Sequence, residues 1–221
     1  MTQKWIKRKG EPACILFFNG WGMDEHVLDE FDHRGFDVCH LNDFSQIEPL
    51  PTDEFQYQTI IVVAWSLGVC AANEILPKSK LQLTQCLAIN GTPWVRHDEM
   101  AIPHTTFKQT LDGWNERTRF KFNLRMFGGK NRLDKATKQQ SQRSTANQKL
   151  ELQFFYDLEQ TTANQNLSWD AAFVAINDQI IPTAHQLNFW SDKARVIETD
   201  WTHFPFSEVK SWHELLKIAK Q

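Results

Sequence analysis

Val62-Val63-Ala64-Trp65-Ser66-Leu67-Gly68 sets a serine between small residues directly after a β-branched run, and its reading decides the fold. Thr59 to Val63 is a continuous apolar segment of the kind that becomes a strand covered on both faces. Leu67 to Leu76 then reads as a helix ended by Pro77. Ser66 therefore falls at a strand-to-helix corner. Ala64 and Gly68, flanking it at two residues' distance, let neighbouring backbone approach a sharp turn that points the hydroxyl outward. The helix starting just behind Ser66 leaves N–H groups unpaired and a partial positive charge where an oxyanion would form, and Leu67 N–H is the first such donor.

This is the pattern of a nucleophile elbow with Ala in place of its first glycine. The competing reading is a serine that caps a helix. A hydroxyl attacks poorly at neutral pH, so an elbow needs a histidine to take its proton and a carboxylate to hold that histidine's tautomer. In α/β-hydrolases these follow in the order Ser, Asp, His. Ala171 to Ile176 is strand-like and breaks into Asn177-Asp178-Gln179-Ile180-Ile181-Pro182, which places Asp178 in a loop at a strand's C-terminal end. Ala194 to Glu198 is a further short strand, followed by a loop carrying Asp200 and His203 and then a helix from about Ser207 to Lys220. Of the eight histidines, only His203 has both the expected order and position; His40 ends a strand-like segment and could line the same face. Asp200 rivals Asp178 as the acid, but its neighbours put it on the histidine's own loop. Ala13 to Phe18 is an early strand running into Asn19-Gly20-Trp21-Gly22, whose glycines allow backbone amides to turn inward, so Trp21 N–H is the second expected oxyanion donor.

Phe-Phe-Asn-Gly-Trp-Gly-Met-Asp (17–24), Ala-Trp-Ser-Leu-Gly-Val (64–69), Ile-Asn-Gly-Thr-Pro (89–93), Asp178-x-Ile-Ile-Pro and His203-Phe-Pro-Phe resemble the BioG branch of pimeloyl-ACP methyl ester esterases over nearly the full length. The resemblance implies removal of a methyl group from pimeloyl-ACP methyl ester during biotin synthesis. It also implies Ser66 as nucleophile, Asp178 as orienting acid and His203 as general base.

At 221 residues, with sixteen Phe and nine Trp, the chain can bury one substantial core. The expected class is α/β: an α/β-hydrolase fold, mostly parallel sheet flanked by helices, one domain over 1–221. Strands are expected near 13, 37, 59, 85, 171 and 195, with a helical lid inserted at 102–162. Met1 to Gly10 is charged, the first strand is expected directly after it, and no apolar run has signal or membrane-span length, so a cytoplasmic protein without membrane partners is expected. Cys14, Cys39, Cys70 and Cys86 lack metal or redox spacing and are expected to be buried free thiols. No phosphate, dinucleotide or zinc motif appears, so no cofactor and no metal are expected.

Charge is concentrated in the expected lid. Residues 115–149 hold ten basic residues against two acidic ones, although the whole chain carries a net charge of −3. Arg117, Lys121 and Arg125 recur at helical spacing as one stripe, beside an apolar stripe of Phe120, Leu124 and Phe127 expected to face the core. A solvated helix face is the plain reading. Nucleic acid is excluded for want of any accompanying motif, and a triad beside the patch points to a substrate delivered by an acidic acyl carrier protein, with Trp21, Arg117, Lys121 and Arg125 as its contacts. An acyl thioesterase acting on a carrier-protein or CoA substrate would use the same triad, and a non-catalytic hydrolase-like binding module is the alternative from another class.

Overall fold

Thr59–Trp65 forms β4, the central strand of seven in the computed structural model, which describes residues 1–158 and 167–221. Its companions are β1 (Thr2–Lys7), β2 (Ala13–Phe18), β3 (Asp37–Asn42), β5 (Gln85–Ile89), β6 (Ala171–Ala175) and β7 (Arg195–Thr199). They lie in the order β1-β3-β2-β4-β5-β6-β7, all parallel except β1. Alternation splits each strand between two cores. Leu16, Phe18, Val62 and Ala64 share one with Val69, Ala71 and Ala72 of α1 (Leu67–Ile75). Ile15, Phe17, Val63 and Trp65 point the other way and share theirs with Trp212 and Leu215 of α7 (Trp212–Ile218). Covering both faces is why β4 has no polar side. Each fully buried Val, Leu or Phe contributes about 1.5–3 kcal/mol.

The expected helical character of the segment after β5 is seen in α2 (His104–Asp112), α3 (Glu116–Phe127), α4 (Lys130–Lys135) and α5 (Thr145–Asp157). Asn115 and Thr118 cap α3 reciprocally, and Gly128-Gly129 ends it. The expected boundary at 162 lies outside the described residues. α6 (Thr183–Trp190) joins β6 to β7.

Two expectations are corrected. The charged N-terminus is not a lead-in: Thr2–Lys7 pairs antiparallel with β3. It is an edge strand held by one aromatic, Trp5, which packs on Phe55 at 5.5 Å and Tyr57 at 6.2 Å, and the lysines that disguise it are what an edge tolerates. The last helix starts at Trp212 rather than near 207, because Ser211 accepts the Glu214 N–H as its cap.

The four cysteines are free and buried. Burial pushes the Cys14 and Cys86 thiols up to about 12, which keeps them as inert core groups. Among the described residues, no helix is long and apolar enough to cross a membrane.

Candidate active site

Ser66 joins β4 to α1 with φ 56° and ψ −129°, a conformation that costs a side-chain-bearing residue about 1–3 kcal/mol. The surroundings enforce it. A Cβ on Gly68 would lie 2.3 Å from the Phe18 carbonyl oxygen, and one on Gly91 would lie 2.3 Å from that of Ser66, so backbone from β2 and from the end of β5 closes on the corner where only glycine fits.

The structure brings Ser66, His203 and Asp178 together. His203 Nε2 lies 2.9 Å from Ser66 Oγ, and His203 Nδ1 lies 2.8 Å from Asp178 Oδ2. Because an ionised carboxylate only accepts, Nδ1 carries the proton and Nε2 is free to accept the Ser66 hydroxyl. Asp178 is fixed on its other sides. Oδ1 accepts the N–H groups of Ile180 and Ile181 at 2.8 and 2.9 Å, and Oδ2 also accepts Gln186 Nε2 at 2.9 Å. Asp200 is exposed, and its carbonyl receives Asn177 Nδ2. The Asp178 and His203 side chains are 0% and 2% exposed, so the ion pair that forms when the imidazole takes a proton is shielded from solvent screening.

Leu67 is the first residue of α1, and Trp21 sits in the loop after β2. Asn19 shapes that loop: its Oδ1 accepts Gly20 N–H at 2.8 Å, and its Nδ2 donates to the Asp24 carbonyl and to His40 Nε2, each at 2.9 Å. Trp21 packs on Trp114 at 4.4 Å and edge-on to Phe122 at 5.3 Å. An apolar cavity opens above Ser66 and His203, bounded by Trp21, Phe107, Phe122 and Met126. A second cavity shares Thr106, Thr110, Phe122 and Arg125 with it and reaches Lys121. Asp24, Glu25 and His26 are close enough to hold a cation, but Asp24 already accepts His26 N–H and Gln142 N–H, while Glu25 pairs with Lys4.

Residues 1–215 match the family model described as pimeloyl-ACP methyl esterase BioG. The chain belongs to the BioG family. The crystal structure of BioG from Haemophilus influenzae superposes with a TM-score of 0.88 at 27% identity, covering 96% of this chain and 98% of that one. A malonyl-[acyl-carrier protein] O-methyltransferase from Bacteroides fragilis is 34% identical over 192 residues, which is 86% of this chain and only 39% of that protein. A lipase-esterase related protein from Clostridium acetobutylicum shares the fold at TM-score 0.67 and 12% identity, covering 99% and 96% of the two chains. This BioG-family chain is thus an esterase-like α/β-hydrolase.

The positive charge of residues 115–149 is partly neutralised by ion pairs. Arg119 pairs with Glu116, Lys130 with Asp134, Arg132 with Glu208, Lys138 with Glu30, and Arg143 with Asp43 and Glu151. Arg117, Lys121 and Arg125 are exposed and have no ion-pair partner among the described residues. Phe120 does not face the core; it is 54% exposed. At 100° per residue it lies opposite Phe122, the side chain that α3 turns into the cavity. The rest of the stripe does meet the protein body: Leu124 packs against the core, and Phe127 packs on Phe204 at 4.3 Å.

Several supports are residues that the sequence reading does not single out. Asn90 Nδ2 donates to the carbonyls of Thr202 and His203, both at 3.0 Å, while its Oδ1 accepts Ala175 N–H, tying the histidine loop to the strand that carries the acid. Trp65 Nε1 donates to the same His203 carbonyl at 2.8 Å. An Asn at a strand end before Gly91 was the readable hint; Gln186 offered none.

His40 lines the loop after β2, through Asn19, rather than the cluster of Ser66, His203 and Asp178. It is fully buried, and burial pulls its imidazole from the ordinary 6.5 down to about 4, against the opposing pull of Glu25 and Asp24 and with smaller help from Lys4 and Arg143. The folded chain therefore holds His40 neutral while the unfolded chain protonates it below 6.5, so stability is lost as pH falls from 6.5 through about 4. His40→Gln keeps an acceptor for Asn19 and does not titrate. It is expected to remove up to about 3 kcal/mol of that decline in chemical denaturation; an unchanged slope would contradict the assignment.

Proposed function

We propose that this chain hydrolyses the methyl ester of pimeloyl-ACP in biotin synthesis. The observation that carries the reading is the hydrogen-bonded series Ser66–His203–Asp178 in an apolar cavity that Arg125 also lines, beside a second cavity that reaches Lys121. His203 Nε2 takes the hydroxyl proton as Ser66 Oγ attacks the ester carbonyl. The oxyanion of the tetrahedral intermediate faces the Trp21 and Leu67 N–H groups. The same proton returns to the methoxy oxygen as the C–O bond breaks and methanol leaves. Water, deprotonated by His203, then releases the acyl-enzyme as free pimeloyl-ACP. Asp178 keeps Nδ1 protonated and stabilises the imidazolium. No cofactor is required.

The helical segment from α2 to α5 serves as the lid, and the free cations of α3 meet the acidic carrier. The Bacteroides relative supports this reading, since a region like this chain is there part of a protein named for placing a methyl group on a carrier-bound acid.

Mass spectrometry of the products tests the bond cleaved: methanol and intact pimeloyl-ACP are expected, whereas free carrier would mark a thioesterase. Reversing Arg117 and Lys121 to Glu, with Arg125 left in place because it lines the catalytic cavity, tests the carrier. Loss of steering is expected to lower kcat/KM on the carrier-bound ester by roughly tenfold or more. Turnover of a small neutral ester should hold. Equal loss on both substrates would assign the stripe to lid integrity instead.

A further inference from the structure

The donor loop has no secondary structure of its own, yet α5 holds it by a buried polar cluster. Glu151, 0% exposed, accepts Gly22 N–H at 2.9 Å on Oε2 and Phe44 N–H at 2.9 Å on Oε1. Arg143 Nη1 donates to the same Oε2 at 2.7 Å and to the Met23 carbonyl at 3.2 Å. Gln148 Nε2 donates to the Gly22 carbonyl at 2.7 Å, and the Gln148 carbonyl accepts Trp21 Nε1 at 2.7 Å. Trp21 is therefore fixed from one side by Asn19 and from the other by α5, across 127 residues of sequence.

We propose that Glu151 and Gln148 are positioning residues that set the Trp21 N–H for the oxyanion. This rests on the hydrolytic reading above. Stability alone is a poor reason to bury such a carboxylate, because replacing a buried ion pair by apolar side chains of similar volume is often neutral or stabilising. What the cluster supplies is placement. It engages the main chain of Gly22 at both its N–H and its carbonyl, one residue from the donor, at a φ of 73°. Oxyanion stabilisation depends on a donor lying within a few tenths of an ångström of its working position.

Glu151→Gln keeps one accepting end, so its NH2 must meet either the Phe44 N–H or the Gly22 N–H and Arg143, and the cluster that holds the loop must shift. Gln148→Met keeps volume and removes the bond to the Gly22 carbonyl. Both variants and the wild type are first titrated with a fluorophosphonate to count active sites. They are then compared for kcat/KM on a small ester and for inhibition by a trifluoromethyl ketone. In that adduct Ser66 Oγ bonds to the carbonyl carbon, its proton passes to His203, and the new oxyanion takes the donor site. Per active site, kcat and the ketone's affinity are expected to fall together by roughly 10- to 100-fold, with KM changing far less.

Wild-type values in the variants overturn the inference. So does a kcat loss without loss of ketone affinity, or a loss accounted for by fewer titrated sites. Should Glu151→Gln not fold, Gln148→Met decides by the same criteria. If the wild type itself reacts with neither reagent, the hydrolytic reading fails and takes the inference with it.

Discussion

Ser66→Ala is expected to abolish ester hydrolysis while the chain still folds. Alanine keeps the Cβ and so keeps the unfavourable φ of 56°, and it removes only an oxygen whose hydrogen-bond partner is His203 Nε2. The neutral imidazole then loses one bond but stays tied through Nδ1 to Asp178. Without a nucleophile the acyl-enzyme route is closed, and the expected loss in kcat is on the order of 10⁶-fold, with binding and the oxyanion donors leaving a residue above the uncatalysed rate. Turnover and a thermal melt on the same preparation check this. A variant that melts like the wild type and still turns over would show that Ser66 is not the attacking group.

Asp178→Asn is expected to cost about 10⁴-fold at nearly unchanged shape. The carboxylate accepts from four donors: His203, Gln186 and the Ile180 and Ile181 N–H groups. An amide has one accepting end. If it faces the two backbone N–H groups, its NH2 meets His203 Nδ1, which must then surrender its proton and carry it on Nε2, where it blocks transfer from Ser66. If it turns the other way, two backbone donors are left unsatisfied. Asp200→Asn, at an exposed position away from the imidazole, should leave kcat within about twofold, as surface substitutions do. The reverse ranking of the two variants would assign the acid to Asp200.

Six of the seven strands were legible, most of them because burial on both faces writes itself as unbroken runs such as Ile60-Ile61-Val62-Val63. β7, an edge strand without a fully buried residue, was legible by its short β-branched Val196-Ile197. β1 was not, since an edge strand with one anchoring tryptophan satisfies no apolar pattern. At the site, residues whose placement follows from strand ends could be read: Ser66, Asp178 and His203 each stand at a β-to-loop junction, where chain order and local sequence suffice. Asn90 and Glu151 could not, because each acts through main-chain groups distant in sequence, and Gln186 could not, because its bond to the Asp178 side chain leaves no local pattern; a glutamate midway along a helix looks the same whether it meets water or Gly22. Pairing also neutralised Arg132, Lys138 and Arg143 of the basic segment for a reason no local reading contains. Their partners Glu208, Glu30 and Asp43 come from elsewhere in the chain.

The serine and the histidine that meet at 2.9 Å are 137 residues apart, with the central strand supplied early and the last strands late. On the ribosome, β2, β4 and α1 emerge and can collapse long before the loop bearing His203 exists. Trp212, which packs on Phe17 at 5.7 Å and Phe31 at 4.6 Å, must then return from near the C-terminus to close one face of the sheet that the N-terminal third began. A nascent chain halted before His203 therefore carries Ser66 without its hydrogen-bond partner. On the hydrolytic reading proposed above, competence arrives late in translation, and a chain released before His203 is silent rather than partly active.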